Sequence, residues 1–196
     1  MIQQNLFDAL PPIVEGFNYF DDVMTEAEEQ AYIISLEALT FNPVEFHGNV
    51  GRRRMTSFGW NYDLQRRTLA RAEPMPPFLQ NLRNLAADFA GIDANDLKQA
   101  IINEYSSGAG VGWHRDKEVF KDIVGVSFGA PCVFRLRPKE RGLQRPVSLT
   151  LEPRSLYIMK DSAREEWEHS VRAVDRLRYS VTFRNFKAEF RSKYRD

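Results

Sequence analysis

Cysteine is the scarcest reactive residue in this chain of 196 residues: Cys132 stands alone, so no disulfide can form within it. A lone cysteine fits a reducing compartment and gives no support to secretion. Histidine is nearly as scarce, with only His47, His114 and His169, so any metal centre built on imidazole must draw on these three. An excess of one charge is lacking too. Lys plus Arg and Asp plus Glu both number 27, a formal net charge of zero, which argues against a surface that binds nucleic acid indiscriminately. No apolar run is long enough to cross a bilayer, and the first residues lack the basic stretch and apolar segment of an export signal. The expectation is a soluble, cytoplasmic, monomeric protein with no membrane partner.

What is present reads as an ordinary globular chain of one-domain length, able to bury a sizeable core. Pro11 and Pro12 keep the first 24 residues from being helical, and Phe17, Tyr19 and Phe20 are available for packing. Thr25-Glu26-Ala27-Glu28 fits a capping box, and Ala27, Ala31, Ile34 and Ala38 recur at helical spacing, so a helix is predicted over 26–39. A second helix is predicted over 78–90, with proline at its start, Leu79, Leu82, Leu85 and Phe89 on one face, and Gly91 at its end. Between them, residues 43–63 read as two short strands around a glycine-containing loop at His47-Gly48. In the second of these strands, over 55–62, Phe58, Trp60 and Tyr62 alternate on one face just after Arg52, Arg53 and Arg54. Arginines hold phosphates and aromatic rings stack on bases; an aromatic core face beside a basic turn explains the same residues equally well.

From residue 98 the texture changes to short strands separated by Gly and Pro, over 99–105, 110–114, 123–128, 132–137, 146–151, 155–159, 168–171 and 178–186, with no helix between them. That spacing predicts a mainly β protein, a double-sheet jelly roll or barrel with the two helices packed outside. Within it, His114 and Asp116 are two residues apart, so on an extended segment their side chains leave one face and can converge on one ion. His169, between two strand-like runs, can return to the same core, whereas His47 sits at a turn. Two imidazoles and one carboxylate form the facial ligand set of non-haem Fe(II) oxygenases. In the last strand Arg178, Ser180, Thr182 and Arg184 share a face, costly to bury unless an anion compensates it. A small dicarboxylate suits two guanidinium groups, and Asn103 and Tyr105 offer further hydrogen bonds.

Asn103-x-Tyr105, His114-x-Asp116, His169 and the Arg178 to Arg184 strand, in this order and closing on Thr182-Phe183-Arg184, resemble the AlkB family of Fe(II)- and 2-oxoglutarate-dependent dioxygenases over residues 99–186. The resemblance implies a double-stranded β-helix core, Fe(II) on the catalytic residues His114, Asp116 and His169, and 2-oxoglutarate held by Asn103, Tyr105, Arg178, Ser180 and Arg184, with dioxygen as the second cosubstrate. Ser180 departs from members that carry Asn there. It also implies an N-terminal nucleotide-recognition lid, here at about 45–67, within an N-terminal extension with support helices (1–98) ahead of the dioxygenase core and basic tail (99–196), the whole forming one compact unit. Substrate contacts are then expected from Arg53, Arg54, Phe58, Trp60, Tyr62 and Glu118. The function implied is oxidative dealkylation of N-alkylated bases in DNA, a DNA-repair activity. Action on RNA, including tRNA, or on a protein side chain are the alternatives within the superfamily, and a metal-free jelly-roll binding module would require the triad to be coincidental.

Overall fold

The computed structural model describes residues 14–46, 49–63, 68–140 and 145–191. In chain order its elements are β1 (Phe17–Phe20), α1 (Glu26–Glu37), β2 (Asn42–Phe46), β3 (Asn49–Phe58), β4 (Trp60–Asp63), β5 (Thr68–Arg71), α2 (Pro77–Ala90), β6 (Gln99–Tyr105), β7 (Val111–His114), β8 (Phe120–Gly129), β9 (Cys132–Pro138), β10 (Val147–Leu151), β11 (Leu156–Met159), α3 (Asp161–Glu165), β12 (Trp167–Val171), β13 (Arg178–Phe186) and α4 (Ala188–Arg191). The turn at His47 and Gly48 and the tail beyond Arg191 lie outside the described residues. No helix among the described residues is long and apolar enough to cross a membrane.

Strand β13 organises the molecule because both of its faces are buried, at all nine positions. Tyr179, Val181 and Phe183 join a core with Val124, Val126 and Phe128 of β8, Leu79, Leu82 and Ala86 of α2 and Leu36 of α1. The alternate residues face a second sheet. β13 sits in the middle of a seven-stranded sheet of order β1-β11-β8-β13-β6-β3-β2; the facing four-stranded sheet runs β10-β9-β12-β7. A second apolar cluster, including Phe17, Ile123, Phe134, Leu136 and Tyr157, fills part of the space between the sheets. The architecture is the antiparallel jelly roll with helices on one outer face. The major sheet does not stop at residue 98: β1 pairs with β11 and β3 with β6, so strands from the N-terminal part complete it.

Three sequence expectations need correction. The capping box of α1 is present, with the Glu28 backbone N–H donating to Thr25 Oγ1 at 3.3 Å and the Thr25 N–H donating to Glu28 Oε2 at 2.8 Å. However, Ala27, Ala31, Ile34 and Ala38 face solvent, Ile34 being 68% exposed. The buried side carries Glu29 and Leu36, since the Glu29 carboxylate accepts the Gly129 N–H at 2.8 Å and pairs with Arg154 at 3.3 Å. A paired buried acid reads as solvent-facing in a sequence.

The second correction concerns 55–62, which is not one strand. The chain turns at Gly59, where φ is +77°, leaving β3 in the major sheet and starting the separate β4-β5 hairpin. The alternation of Phe58, Trp60 and Tyr62 is lost with that turn. The third is the short helix α3, which interrupts what was read as an uninterrupted series of strands.

Gly59 tolerates no side chain. A Cβ there would lie 2.2 Å from the Lys98 carbonyl oxygen, on a backbone conformation L-residues avoid. Gly59→Ala is expected to lower unfolding free energy by about 1–3 kcal/mol in urea denaturation.

Candidate active site

The inward row of β13 and the facing strands of the minor sheet enclose a cleft of about 450 Å³, solvent at its mouth included, lined by Asn103, Tyr105, His114, Asp116, His169, Arg178, Ser180 and Arg184 among others. Thus the three expected metal ligands and the five expected cosubstrate residues line one cavity.

Two of the three metal-binding candidates are cross-strand partners. His114 of β7 stands opposite His169 of β12, their ring centroids 4.2 Å apart. His114 Nδ1 lies 2.9 Å from the Gly112 carbonyl oxygen; with the proton on Nδ1, as that contact requires, Nε2 is left as the lone-pair donor. Asp116 follows β7 on a loop, its Oδ2 3.5 Å from His169 Nε2. One potential ligand atom from each residue falls within 4.8 Å of the others.

Arg184 orients the carboxylate. Its Nη2 and Nε donate to Asp116 Oδ1 at 2.7 and 3.2 Å, and its Nη1 donates to Thr182 Oγ1 at 3.1 Å. One carboxylate oxygen is thereby held by the guanidinium while Oδ2 faces the histidines. Arg184 also lines the cleft in which a cosubstrate is expected. Arg164, 2% exposed, secures the loop itself by donating to the Phe120 carbonyl at 2.9 Å and to that of Lys117.

The charges agree with ligation. Burial raises the Asp116 pKa, but Arg184, aided by His169, His114 and Arg164, outweighs it and holds the carboxyl well below its usual range. His169 is pushed down to about 3, chiefly by burial, which prevails over the opposing pull of Asp116. The imidazole is therefore neutral at physiological pH, as a metal ligand must be.

Arg178 occupies the other end of the row. It is 1% exposed, its guanidinium lies 5.1 Å from the centre of the Tyr105 ring, and its Nη2 donates to Ser127 Oγ at 2.9 Å. Arg178 Nε and Nη1, Asn103 Oδ1 and His169 Nδ1 are all buried without a hydrogen-bond partner among the described residues. Buried polar atoms are rarely left unsatisfied, and Arg178 and Asn103 both line the cavity that also holds the triad. A metal ion with a small diacid fits that donor set: carboxylate for Arg178, cation for the two imidazoles and Asp116.

The expected substrate residues divide. Arg53 lines the cleft. Arg54 points away, because successive strand residues alternate, and pairs with Glu104 through Nε at 2.7 Å and Nη2 at 2.9 Å. Phe58 packs against the helix-side core. Trp60 is 8% exposed in a cluster with Phe120 and Phe186. Glu118 is exposed in the turn before β8 and does not line the cleft. Tyr62 belongs to β4, but its side chain lies outside the described residues.

Two residues were missed. Tyr157 lines the cleft, and burial together with the nearby Asp116 keeps its phenol protonated far above neutral pH. Its alternation with Met159 in a continuously apolar run was the available signal. Arg164 gave none. If Arg184 positions Asp116, Arg184→Gln should weaken Mn(II) binding, followed by calorimetry, by about 10–100-fold; Arg54→Gln should leave it unchanged.

Comparison with known proteins agrees with this geometry. The family described as the 2OG-Fe(II) oxygenase superfamily matches residues 17–184. The alkylated DNA repair protein ALKBH8 homolog of Arabidopsis thaliana is 24% identical over 198 residues, covering 88% of this chain and 56% of the relative. The tRNA (carboxymethyluridine(34)-5-O)-methyltransferase ALKBH8 of Mus musculus is 27% identical over 188 residues, covering 90% of this chain and 27% of the relative. The chain spans little more than half of the first of these relatives and about a quarter of the second. The solved structure of OsALKBH1 shares the fold, with a TM-score of 0.66 at 17% identity over 91% of this chain and 99% of that one. The chain belongs to the 2OG-Fe(II) oxygenase superfamily, whose members use Fe(II), 2-oxoglutarate and dioxygen, and its His114-Asp116-His169 group can hold a metal ion.

Proposed function

We propose that this protein oxidatively dealkylates N-alkylated nucleobases, with DNA as the first substrate to test. The observation that carries the reading is the convergence, in one cleft, of the His114-Asp116-His169 triad and the two unpartnered donors of Arg178. In this reading His114, Asp116 and His169 hold Fe(II), and Arg178 anchors the far carboxylate of 2-oxoglutarate, with Asn103, Tyr105 and Ser180 completing the wall. When bound, the iron with its two cosubstrates supplies the oxidation of the N-alkyl carbon. A carbon hydroxylated beside nitrogen then releases an aldehyde and the repaired base.

The chain's own work is orientation and charge. Arg184 fixes which Asp116 oxygen faces the metal. Phe134 and Leu151 add apolar surface to a cleft lined mainly by polar side chains. Arg53, on the strand that borders the cleft, is placed to meet a phosphate or the base entering it. A base in a duplex must first leave its stack, at a cost of a few kcal/mol that is smaller for a damaged or single-stranded base.

RNA is the second reading, supported by the mouse relative, which is a tRNA methyltransferase by name. Matched DNA and RNA oligonucleotides carrying N1-methyladenine or N3-methylcytosine separate the two. Loss of one methyl mass coupled to succinate formation is expected, and succinate without that loss on either oligonucleotide would redirect the search to other lesions or to protein. Asp116→Ala should abolish turnover while the protein remains folded by circular dichroism. Arg178→Ala should raise the 2-oxoglutarate requirement by about 10-fold or more, since a charge-assisted pair is lost; an unchanged requirement would remove Arg178 as the anchor.

A further inference from the structure

Tyr157 stands in the cleft without an assigned task. Across the major sheet, Tyr157 pairs with Gly125 and Gly125 with Thr182, so the three occupy one rung on the inward side. On β13 that rung falls between Ser180, paired with Ser127, and Arg184, paired with Ile123. Tyr157 therefore stands between the arginine proposed to anchor the far carboxylate and the arginine that holds Asp116.

The ring reaches across β8 because the neighbouring residue has no side chain. A Cβ on Gly125 would lie 2.2 Å from Tyr157 Cε1 and 2.7 Å from its hydroxyl oxygen, so ring and hydroxyl both lie over Gly125, towards β13. Phe17 and Phe134 fix the ring from its sides, at centroid distances of 5.8 and 5.2 Å. Tyr157 lines the cleft, and its hydroxyl makes no hydrogen bond to any described residue, so its donor is open to a ligand there. Tyr19, by contrast, accepts the Glu152 N–H at 3.1 Å. A rigid ring that carries its donor over a glycine into a ligand cleft is built to meet the ligand.

We propose that Tyr157 donates its hydroxyl hydrogen to an oxygen at the metal-proximal end of bound 2-oxoglutarate, and that its ring sets the length of 2-oxo diacid the cleft accepts. This rests on the reading of the cleft as the 2-oxoglutarate site. Arg178 fixes one end of the diacid and Tyr157 with the metal the other, so a diacid one methylene longer has no room.

The test is calorimetric titration of 2-oxoglutarate into the Mn(II)-loaded protein, where no turnover occurs. Tyr157→Phe keeps the ring and should raise the 2-oxoglutarate Kd about 10-fold, the worth of one hydrogen bond to a charged group, with Mn(II) affinity and the melting temperature of the ligand-free protein unchanged. Tyr19→Phe, the control for hydroxyl loss, should leave the Kd as in the wild type. Tyr157→Leu should narrow the preference for 2-oxoglutarate over the one-methylene-longer diacid at least several-fold. A Phe variant that binds as tightly as the wild type overturns the hydrogen bond, and an unchanged preference in the Leu variant overturns the length gauge. A wild-type protein that binds no 2-oxoglutarate overturns the cleft assignment itself, whereas one that binds it but demethylates no oligonucleotide leaves Tyr157 in place and removes only the proposed substrate.

Discussion

Two arginines, a serine and a threonine are buried in one row between two β-sheets, and the molecule is arranged around the need to satisfy them. Ionised side chains leave water at high cost unless partners are supplied. Arg184 has its partner within the fold, the Asp116 carboxylate, held by two donors of one guanidinium. Among the described residues Arg178 has Ser127 and the face of Tyr105, and its Nε and Nη1 remain for something that enters. The row thus has one end closed by the protein and one end open to a ligand. Under the proposed assignment that asymmetry separates metal positioning from cosubstrate capture, although both arise on the same strand.

The opposite face of β13 explains why the row stays where it is. Tyr179, Val181 and Phe183 pack with α2 and the tip of α1 in the larger core, and a slip of one residue would drive those aromatic and aliphatic side chains into the cleft and the arginines into the core. The register is therefore set twice, by an apolar face that must meet the helices and by a charged face that must meet Asp116. Glu29 adds a long-range tie, joining α1 to the end of β8 through the Gly129 N–H.

Much of this was legible because its signals are short in range. Period-two alternation in 178–186 gave both faces of β13, the two-residue spacing of His114 and Asp116 gave their common direction, and three histidines left few choices. What could not be read depends on pairing between distant residues. Nothing local says that Glu29 is buried, because its acceptor role involves Gly129, a hundred positions on. The alternation of Phe58, Trp60 and Tyr62 was a sound local pattern, yet the positive φ at Gly59 breaks it and sends Trp60 into a cluster with Phe120 and Phe186. Similarly, Arg53 and Arg54 are equivalent as a sequence. Only pairing of β3 with β6 turns one to the cleft and the other to Glu104.

The triad itself is held with unequal stiffness. His114 and His169 are fixed by a ladder between adjacent strands, so their separation follows from sheet geometry. Asp116 has no strand to hold it, and its place depends on charge: Arg184 grips the carboxylate, and Arg164 grips the carbonyls of the same loop. Because Arg184 belongs to the strand that also carries Arg178, a strain that moves β13 displaces the metal carboxylate and the cosubstrate anchor together. Under the proposed assignment one strand therefore carries both the residue that positions the metal carboxylate and the residue that anchors the cosubstrate, and Val181 on its helix-facing side packs in the core that fixes the position of both.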